Sequence, residues 1–146
     1  MLETESILDL FFWALDYYFS DFVKTKTAMG ISLGLLREDA EKPIKQYGSN
    51  VDELFEVLKA QTENSELPKV LRAQLIYSIE KEMCVSPADF FIRRTAMLYF
   101  EIDSLKKWKA ELIDEMQRQM NWTEEVKEKC LKELNQILDE TKKISE

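Results

Sequence analysis

The chain has 146 residues, enough for one domain with a single sizeable core, and its 45% apolar and 33% charged residues are typical of a folded soluble chain. A net charge of −8 argues against a nucleic-acid partner, whose phosphates such a surface would repel. The absence of histidine excludes a Ser–His or Cys–His nucleophile pair and a histidine-based metal site.

The first 23 residues predict an amphipathic helix that is rich in aromatic side chains. Its apolar residues recur at helical spacing, namely Leu8, Phe11, Phe12, Leu15, Tyr18, Phe19 and Phe22. Asp9, Asp16 and Asp21 argue against a transmembrane segment, because each carboxylate would be costly in hydrocarbon. We expect this helix to be buried in the core of the chain or against a partner, and its broad apolar surface leaves open a contact between copies of the chain.

The next part of the chain predicts short helices joined by turns. Pro43 lies inside the helical stretch 37–46, where its missing N–H predicts a kink or a helix reduced to its first turn. The junction Tyr47-Gly48-Ser49-Asn50 predicts the end of that helix, with Gly48 in the left-handed conformation. Asn50, with Glu53 three residues later, predicts the cap of the following helix.

The remaining periodic segments also predict helices. From Pro68, apolar side chains or their neighbours are expected to face the core, namely Leu71, Leu75, Ile79 and Met83. Asp103 or Ser104 is expected to cap a helix with the apolar stripe Leu105, Trp108, Leu112 and Met116. Asn121-Trp122-Thr123 breaks that helix, and Thr123 caps the last one, whose inward residues are Val126, Cys130, Leu134 and either Ile137 or Leu138. The sequence therefore predicts an all-α, single-domain bundle of about six helices.

The segment Glu80–Phe100 carries the most informative motif. Ser86 and Pro87 predict the start of a helix, and Asp89 three residues after Ser86 completes a capping box. Arg93 lies one helical turn from Asp89, where an opposite-charge pair is favourable.

Arg94 falls in the middle of the most apolar face of this predicted helix, beside Phe90. Because an unpaired buried guanidinium would cost several kcal/mol, Arg94 requires carboxylates or carbonyl groups around it. The chain offers Glu80, Glu82, Asp52 and Glu53. We interpret the arginine as part of an internal ion pair between helices; the alternative is that the pair faces another protein.

These motifs resemble a known family. The segment MCVSPADFFIRRTAMLYFEID, the Trp108 stripe and the Asn121-Trp122-Thr123 break resemble the C-terminal helical domain of FAD-dependent glycerol-3-phosphate dehydrogenases and the related α-glycerophosphate oxidases. So does the upstream segment from Gly34-Leu35 through Tyr47-Gly48-Ser49-Asn50-Val51-Asp52-Glu53, and the resemblance covers roughly Phe19–Lys142. Residues 1–18 match nothing that we can place in the family. We therefore divide the chain into an N-terminal helix of unplaced origin, 1–23, and a dehydrogenase- or oxidase-like helical domain, 24–146.

The resemblance implies a function only for the intact enzymes, which oxidise sn-glycerol 3-phosphate to dihydroxyacetone phosphate, reduce FAD and pass electrons to membrane quinone or to oxygen. It implies that this chain is a non-catalytic cap or accessory domain, whether a fragment, a separate gene product or an excised piece. We expect no cofactor and no metal bound by the chain alone, and the FAD- and substrate-binding portion of the enzyme as its partner. Cys84 and Cys130 lie far apart in the sequence and fit reduced thiols in a cytosolic protein, so we expect a cytoplasmic location. The parent enzyme, dehydrogenase or oxidase, is expected to be at most peripheral on the inner face of the membrane.

Eleven residues are candidates for holding the domain together or docking it on the flavoprotein: Tyr47, Gly48, Ser49, Asn50, Ser86, Pro87, Asp89, Phe90, Arg93, Arg94 and Thr95. We favour an internal structural role for Arg94 and a docking role for Arg93. The alternative is a stand-alone helical interaction module that dimerises through its N-terminal helix. An enzyme that uses carboxylates alone is disfavoured, because the acidic residues fall mostly on solvated helix faces.

Overall fold

The computed structural model describes residues 4–62 and 64–145, and over these residues the chain is all-α, as predicted. The helices are α1 (Thr4–Ser32), α2 (Arg37–Tyr47), α3 (Val51–Ala60), α4 (Lys69–Lys81), α5 (Met97–Phe100), α6 (Ile102–Met120) and α7 (Glu124–Ser145). A 3-10 turn, Gly48–Asn50, leads into α3, and a π-helical turn, Asp89–Arg94, precedes α5. None of the helices in these ranges is long and apolar enough to cross a membrane.

The chain forms two compact units, one up to Lys59 and one from Ala60 onward. In the first unit, the C-terminal part of α1 packs on α2. Gly30 permits this close approach, because a Cβ atom at this position would lie 2.7 Å from the Cβ of Ala40. Lys26 on α1 also reaches α3, where its Nζ lies 2.5 Å from a carboxylate oxygen of Asp52.

The turn between α2 and α3 differs in detail from the prediction. α2 runs through the buried Pro43, so the expectation of a helix reduced to its first turn is wrong. Gly48 has the expected positive φ of 54°, but its ψ of −129° lies outside the left-handed helical region. Asn50 lies in the 3-10 turn that continues directly into α3, in place of the extended cap that we expected there.

The part of α1 from residue 7 to residue 19 does not pack into the core of the chain. The helix itself is confirmed, but ten large apolar side chains between residues 7 and 19 are each more than half exposed: Ile7, Leu8, Leu10, Phe11, Phe12, Trp13, Leu15, Tyr17, Tyr18 and Phe19. The expectation of burial in the chain's own core is therefore wrong for these residues. Periodicity predicts a helix with an apolar face, but it does not say which surface covers that face.

The second unit has a hydrophobic core built mainly from α4, the π-helical turn, α6 and α7. Leu105, Leu112 and Met116 are buried and Trp108 is half-buried, which confirms the predicted stripe of α6. The backbone N–H of Val126 donates to Oγ1 of Thr123 at 3.4 Å, which confirms the predicted cap of α7.

Two expectations for the second unit are wrong, and at the end of α4 a neighbour takes the predicted core position. α4 ends at Lys81, and Met83, which has a positive φ of 56°, is exposed while its neighbour Cys84 is buried in the core. The first residue of α6 is Ile102, so neither Asp103 nor Ser104 is its cap. Val126 is exposed, since it lies in the first turn of α7.

Candidate functional site

The predicted Arg-Arg-Thr motif forms the end of a π-helical turn. The backbone N–H of Asp89 donates to Oγ of Ser86 at 3.1 Å, so the predicted serine cap is present. At the other end, the backbone N–H and the hydroxyl of Thr95 both donate to the carbonyl of Phe90, at 3.0 and 2.9 Å. These bonds span five residues, so the turn is wider than the α-helix that we expected to continue from Ser86.

The widened turn places Asp89 between two arginines. Its Oδ1 lies 3.5 Å from Nη1 of Arg93, the pair that the sequence predicts, and its Oδ2 lies 3.6 Å from Nε of Arg94. The side chain of Asp89 is 9% exposed, whereas that of Arg93 is 78% exposed and that of Arg94 is 32% exposed. One buried carboxylate therefore forms ion pairs with two guanidinium groups, of which the one on Arg93 is open to solvent.

This arrangement adds a local partner to the prediction for Arg94. Its Nε lies 3.6 Å from Oδ2 of Asp89, which is on the same turn and was not among the four carboxylates that we considered. The helical wheel assumes 100° per residue, whereas a π-helical turn advances by less, so the wheel placed Arg94 too deep in the apolar face.

The interior side of the turn is anchored by aromatic side chains. Phe90 and Phe91 are fully buried, and their ring centroids lie 5.6 Å apart in an edge-to-face contact. Pro87 is also buried at the start of the turn. The turn is therefore held on the core of the second unit by Phe90, by Pro87 and by the cap at Ser86. The packing of these aromatic side chains therefore fixes the backbone of the turn that carries Arg93.

Cys84 lies beneath the same turn. Its buried thiol donates to the carbonyl of Ser86 across 3.6 Å. Burial, together with the nearby negative charge of Asp89, raises the pKa of Cys84 to about 11. The thiol is therefore protonated at neutral pH and is not an activated nucleophile.

Exposed apolar side chains flank the turn along the chain. Met83 and Val85 precede it, Tyr99 and Phe100 follow it, and all four are exposed. Met83 and Ala96 also have positive φ angles of 56° and 53°, a backbone conformation that costs free energy for residues other than glycine. The second unit thus holds strained backbone on both sides of a turn that presents an arginine.

The other predicted motif, Tyr47–Asn50, lies in the first unit. Tyr47 and Gly48 are half-buried, whereas Ser49 and Asn50 are exposed. The described residues around this junction form the 3-10 turn between α2 and α3. Its local role is to connect these two helices, and a docking role for it stays a prediction.

A buried charge network that was not predicted from the sequence links α4 and α6. Glu115 is 1% exposed and accepts hydrogen bonds from Nε of Arg72 at 3.0 Å and from Nε2 of Gln119 at 2.9 Å. Arg118, whose side chain is largely exposed, also pairs with it. Burial disfavours the charged carboxylate, but the hydrogen bonds from Gln119 and Arg72 and the charges of Arg72 and Arg118 outweigh it and lower the pKa of Glu115.

A signal for this network was present in the sequence. Glu115 follows Leu112 by three residues and Arg72 precedes Leu75 by three, so each charge lies beside the apolar stripe of its helix. The same reasoning that singled out Arg94 applies to both residues.

In the described ranges, no group of three or more Cys, Asp or Glu side chains is placed to hold a metal ion.

The helices and the turn define an all-α domain that carries an arginine-bearing π-helical turn on a packed aromatic base. A family model described as the C-terminal domain of alpha-glycerophosphate oxidase matches residues 16–127, a range that extends into both units. The chain belongs to this family.

Similar proteins include the aerobic glycerol-3-phosphate dehydrogenase of Bacillus subtilis, which is 42% identical over 120 residues, and that of Staphylococcus haemolyticus, which is 36% identical over 123 residues. These matches cover 80% and 84% of this chain but 22% of each relative. The solved glycerol-3-phosphate dehydrogenase of Bacillus halodurans, complexed with FAD, superposes with a TM-score of 0.80 at 35% identity, over 84% of this chain and 25% of that one. The chain thus spans about a fifth of the length of these dehydrogenases.

Proposed function

We propose that this chain is a non-catalytic accessory domain that acts together with the FAD- and substrate-binding portion of a glycerol-3-phosphate dehydrogenase. The observation that carries the proposal is the match of most of this chain to 22% of dehydrogenases whose remaining length has no counterpart here. The FAD in the solved relative supports a flavoprotein partner, and the flavin would be held by that partner. In this proposal, the joined protein oxidises glycerol 3-phosphate to dihydroxyacetone phosphate in the cytoplasm.

We further propose that the π-helical turn docks the domain on the flavoprotein portion. Arg93 is the central contact, because its side chain is 78% exposed and is carried by a turn that packs on the core of the second unit. Asp89, Arg94 and Thr95 are the supporting residues of that turn.

The residues that flank the turn indicate the chemistry of the partner surface. Met, Tyr, Phe and Arg are the side chains that interfaces favour, and here Met83, Tyr99 and Phe100 are exposed near Arg93 in the chain. The matching surface would offer a carboxylate for Arg93 within an apolar rim. Pairing there would be stronger than on an open surface, since the rim excludes water.

The test is binding in trans between this chain and a separately expressed flavin-binding portion of the Bacillus halodurans enzyme. Titration calorimetry should show saturable binding, and glycerol 3-phosphate oxidation by the mixture should exceed that by the flavoprotein portion alone. A well-folded helical chain that neither binds nor changes the activity would overturn the proposal.

The docking face is tested by a matched pair of arginine variants. Arg93→Ala should weaken binding at least tenfold. Arg37 is the control, because its side chain is 73% exposed and lies 3.7 Å from Glu41, also one helical turn away. Arg37→Ala should leave the affinity within about twofold. Equal losses in the two variants would assign the binding to general charge and not to this turn.

A further inference from the structure

The apolar residues near the start of α1 form a heptad seam, which we define as Leu8, Phe11, Phe12, Leu15, Tyr18, Phe19 and Phe22. Leu8, Phe11, Leu15, Tyr18 and Phe22 alternate at spacings of three and four residues. Phe12 and Phe19 lie beside this stripe, one residue after Phe11 and Tyr18. Apolar residues at alternating spacings of three and four are the pattern by which two helices pack side by side. None of these seven residues is charged, and Asp9 and Asp16 lie away from the stripe.

The side chains of the seam are exposed to solvent and are available to contact another helix. Of its seven residues, all except Phe22 are more than half exposed. A fully buried aromatic side chain removes roughly 150–250 Å² from water. Four of these six side chains are aromatic, two are leucines and all are still more than half exposed, so covering all six completely would bury up to about 700 Å² on each chain. That area is close to the roughly 800 Å² per partner of a stable protein interface.

We propose that the chain forms a two-fold dimer in which the α1 seams of two copies pack antiparallel. The seam starts before residue 16, where the match to the family model begins, so its first four residues lie outside the range that this model describes. A flavoprotein surface that recognises the shared domain therefore has no evident reason to fit Leu8, Phe11, Phe12 and Leu15. In a two-fold dimer, each chain contributes the same surface to the interface, so the seam of one copy faces the seam of the other. This inference is independent of the proposed docking through Arg93.

The antiparallel orientation follows from the rest of the first unit. Beyond Phe22, α1 is covered by its own unit, and Thr27 and Gly30 are buried there. A parallel pair would place both copies of α2 and α3 at the same end of the seam, where they would compete for space. An antiparallel pair places them at opposite ends and leaves the seams free to meet, with Leu15 close to the two-fold axis.

The first experiment measures mass in solution by sedimentation equilibrium across a hundredfold range of concentration. The chain should sediment at twice its 17.3 kDa at the higher concentrations. Leu15→Glu should shift the dissociation constant at least a hundredfold, since it places two carboxylates beside the axis. Trp13→Glu is the matched control, because Trp13 is similarly exposed but lies on the opposite side of the helix, and it should shift the constant less than threefold.

The second experiment measures orientation. A spin label is attached at Ile7→Cys in a Cys130→Ser background. Residue 7 lies eight residues from Leu15 at the two-fold axis, so in an antiparallel pair the two labels are sixteen residues apart, about 24 Å along the helix axis. A parallel pair would bring the labels side by side. A monomeric wild-type chain, equal effects of Leu15→Glu and Trp13→Glu, or a short inter-label distance would each overturn the proposal. A monomer that binds phosphatidylcholine vesicles or the flavin-binding portion through Leu15 would also overturn it and would assign the seam to that other surface.

Discussion

Nε of Arg72 donates a hydrogen bond to Oε1 of Glu115 at 3.0 Å and ties α4 to α6 where both side chains are buried. The second carboxylate oxygen of Glu115 is engaged by Arg118, so the buried charge is compensated on both sides. The pair at the π-helical turn is of another kind, since Asp89 is buried but its partner Arg93 lies in solvent. The first network serves the stability of the second unit, whereas the second leaves a charged group available for binding.

Removing the charge of Glu115 should destabilise the chain strongly. Glu115→Gln leaves the buried guanidinium of Arg72 without its carboxylate, which typically costs about 3 kcal/mol or more of unfolding free energy. Urea denaturation followed by circular dichroism measures the loss. The control is Glu125→Gln on the exposed face of α7, which should change the unfolding free energy by less than about 0.5 kcal/mol. Equal effects would show that the network does not hold the unit together.

The same carboxylate predicts how stability depends on pH. The pKa of Glu115 is lowered in the folded chain from its ordinary value of 4.5. A lowered folded pKa stabilises the fold above the unfolded pKa, and this contribution is lost as the pH falls from 4.5 through the folded value. The unfolding free energy should therefore fall on acidification below pH 4.5, and the fall should be shallower in Glu115→Gln. If the unfolding free energies of the two proteins fell equally as the pH decreased below 4.5, this account would be contradicted.

Asp89→Asn should separate the structural role of the turn from the docking role. The variant leaves Arg93 and Arg94 without their shared carboxylate, and we expect a loss of about 1–2 kcal/mol of unfolding free energy. Arg93→Ala removes only an exposed partner and should cost less than about 1 kcal/mol. Both variants should weaken binding to the flavoprotein portion, as measured by calorimetry. A large loss of stability in Arg93→Ala would show that this arginine is structural instead.

Cys84 should resist thiol reagents in the folded chain. With a pKa of about 11, only roughly one thousandth of the thiol is ionised at pH 8, and the side chain is also buried. Cys130 is half-buried, and although burial and the charge of Glu133 also raise its pKa, it should react first. Titration with an aromatic disulfide at pH 8 should count one accessible thiol in the native chain and two in denaturant. In Cys130→Ser the native count should be zero, and a fast-reacting thiol in that variant would place Cys84 at the surface.

Gly30→Ala should destabilise the first unit despite the better helix propensity of alanine. The new Cβ would lie 2.7 Å from Cβ of Ala40 and 3.3 Å from the ring of Phe55. Overpacking of this kind costs about 1–3 kcal/mol, against about 1 kcal/mol gained in propensity. Thermal unfolding should show a lower midpoint. The double variant Gly30→Ala, Ala40→Gly removes the opposing Cβ and should recover part of the loss, and no recovery would argue against this contact.

Local chemistry made parts of the structure predictable. The serine cap at Ser86 and the threonine cap at Thr123 were predicted because a cap depends on a side chain and on backbone groups within three residues. The Arg93–Asp89 pair was predicted for the same reason, since its two residues lie one turn apart. The family resemblance rested on several such local motifs in a fixed order.

The sequence by itself determined the all-α class, the helical periods and the local caps, because these depend on neighbours along the chain. Only the tertiary structure decided that Arg94 shares Asp89 with Arg93, because the π-helical turn changes the angle between successive residues. The tertiary structure also decided that Arg72 meets Glu115, a contact across 43 residues that no local pattern encodes. The tertiary structure also decided that the seam of α1 is exposed, because the burial of a helix face depends on which surface packs against it. The periodicity of apolar residues is the same whether that surface belongs to the chain or to a partner, so the sequence could not predict the exposure.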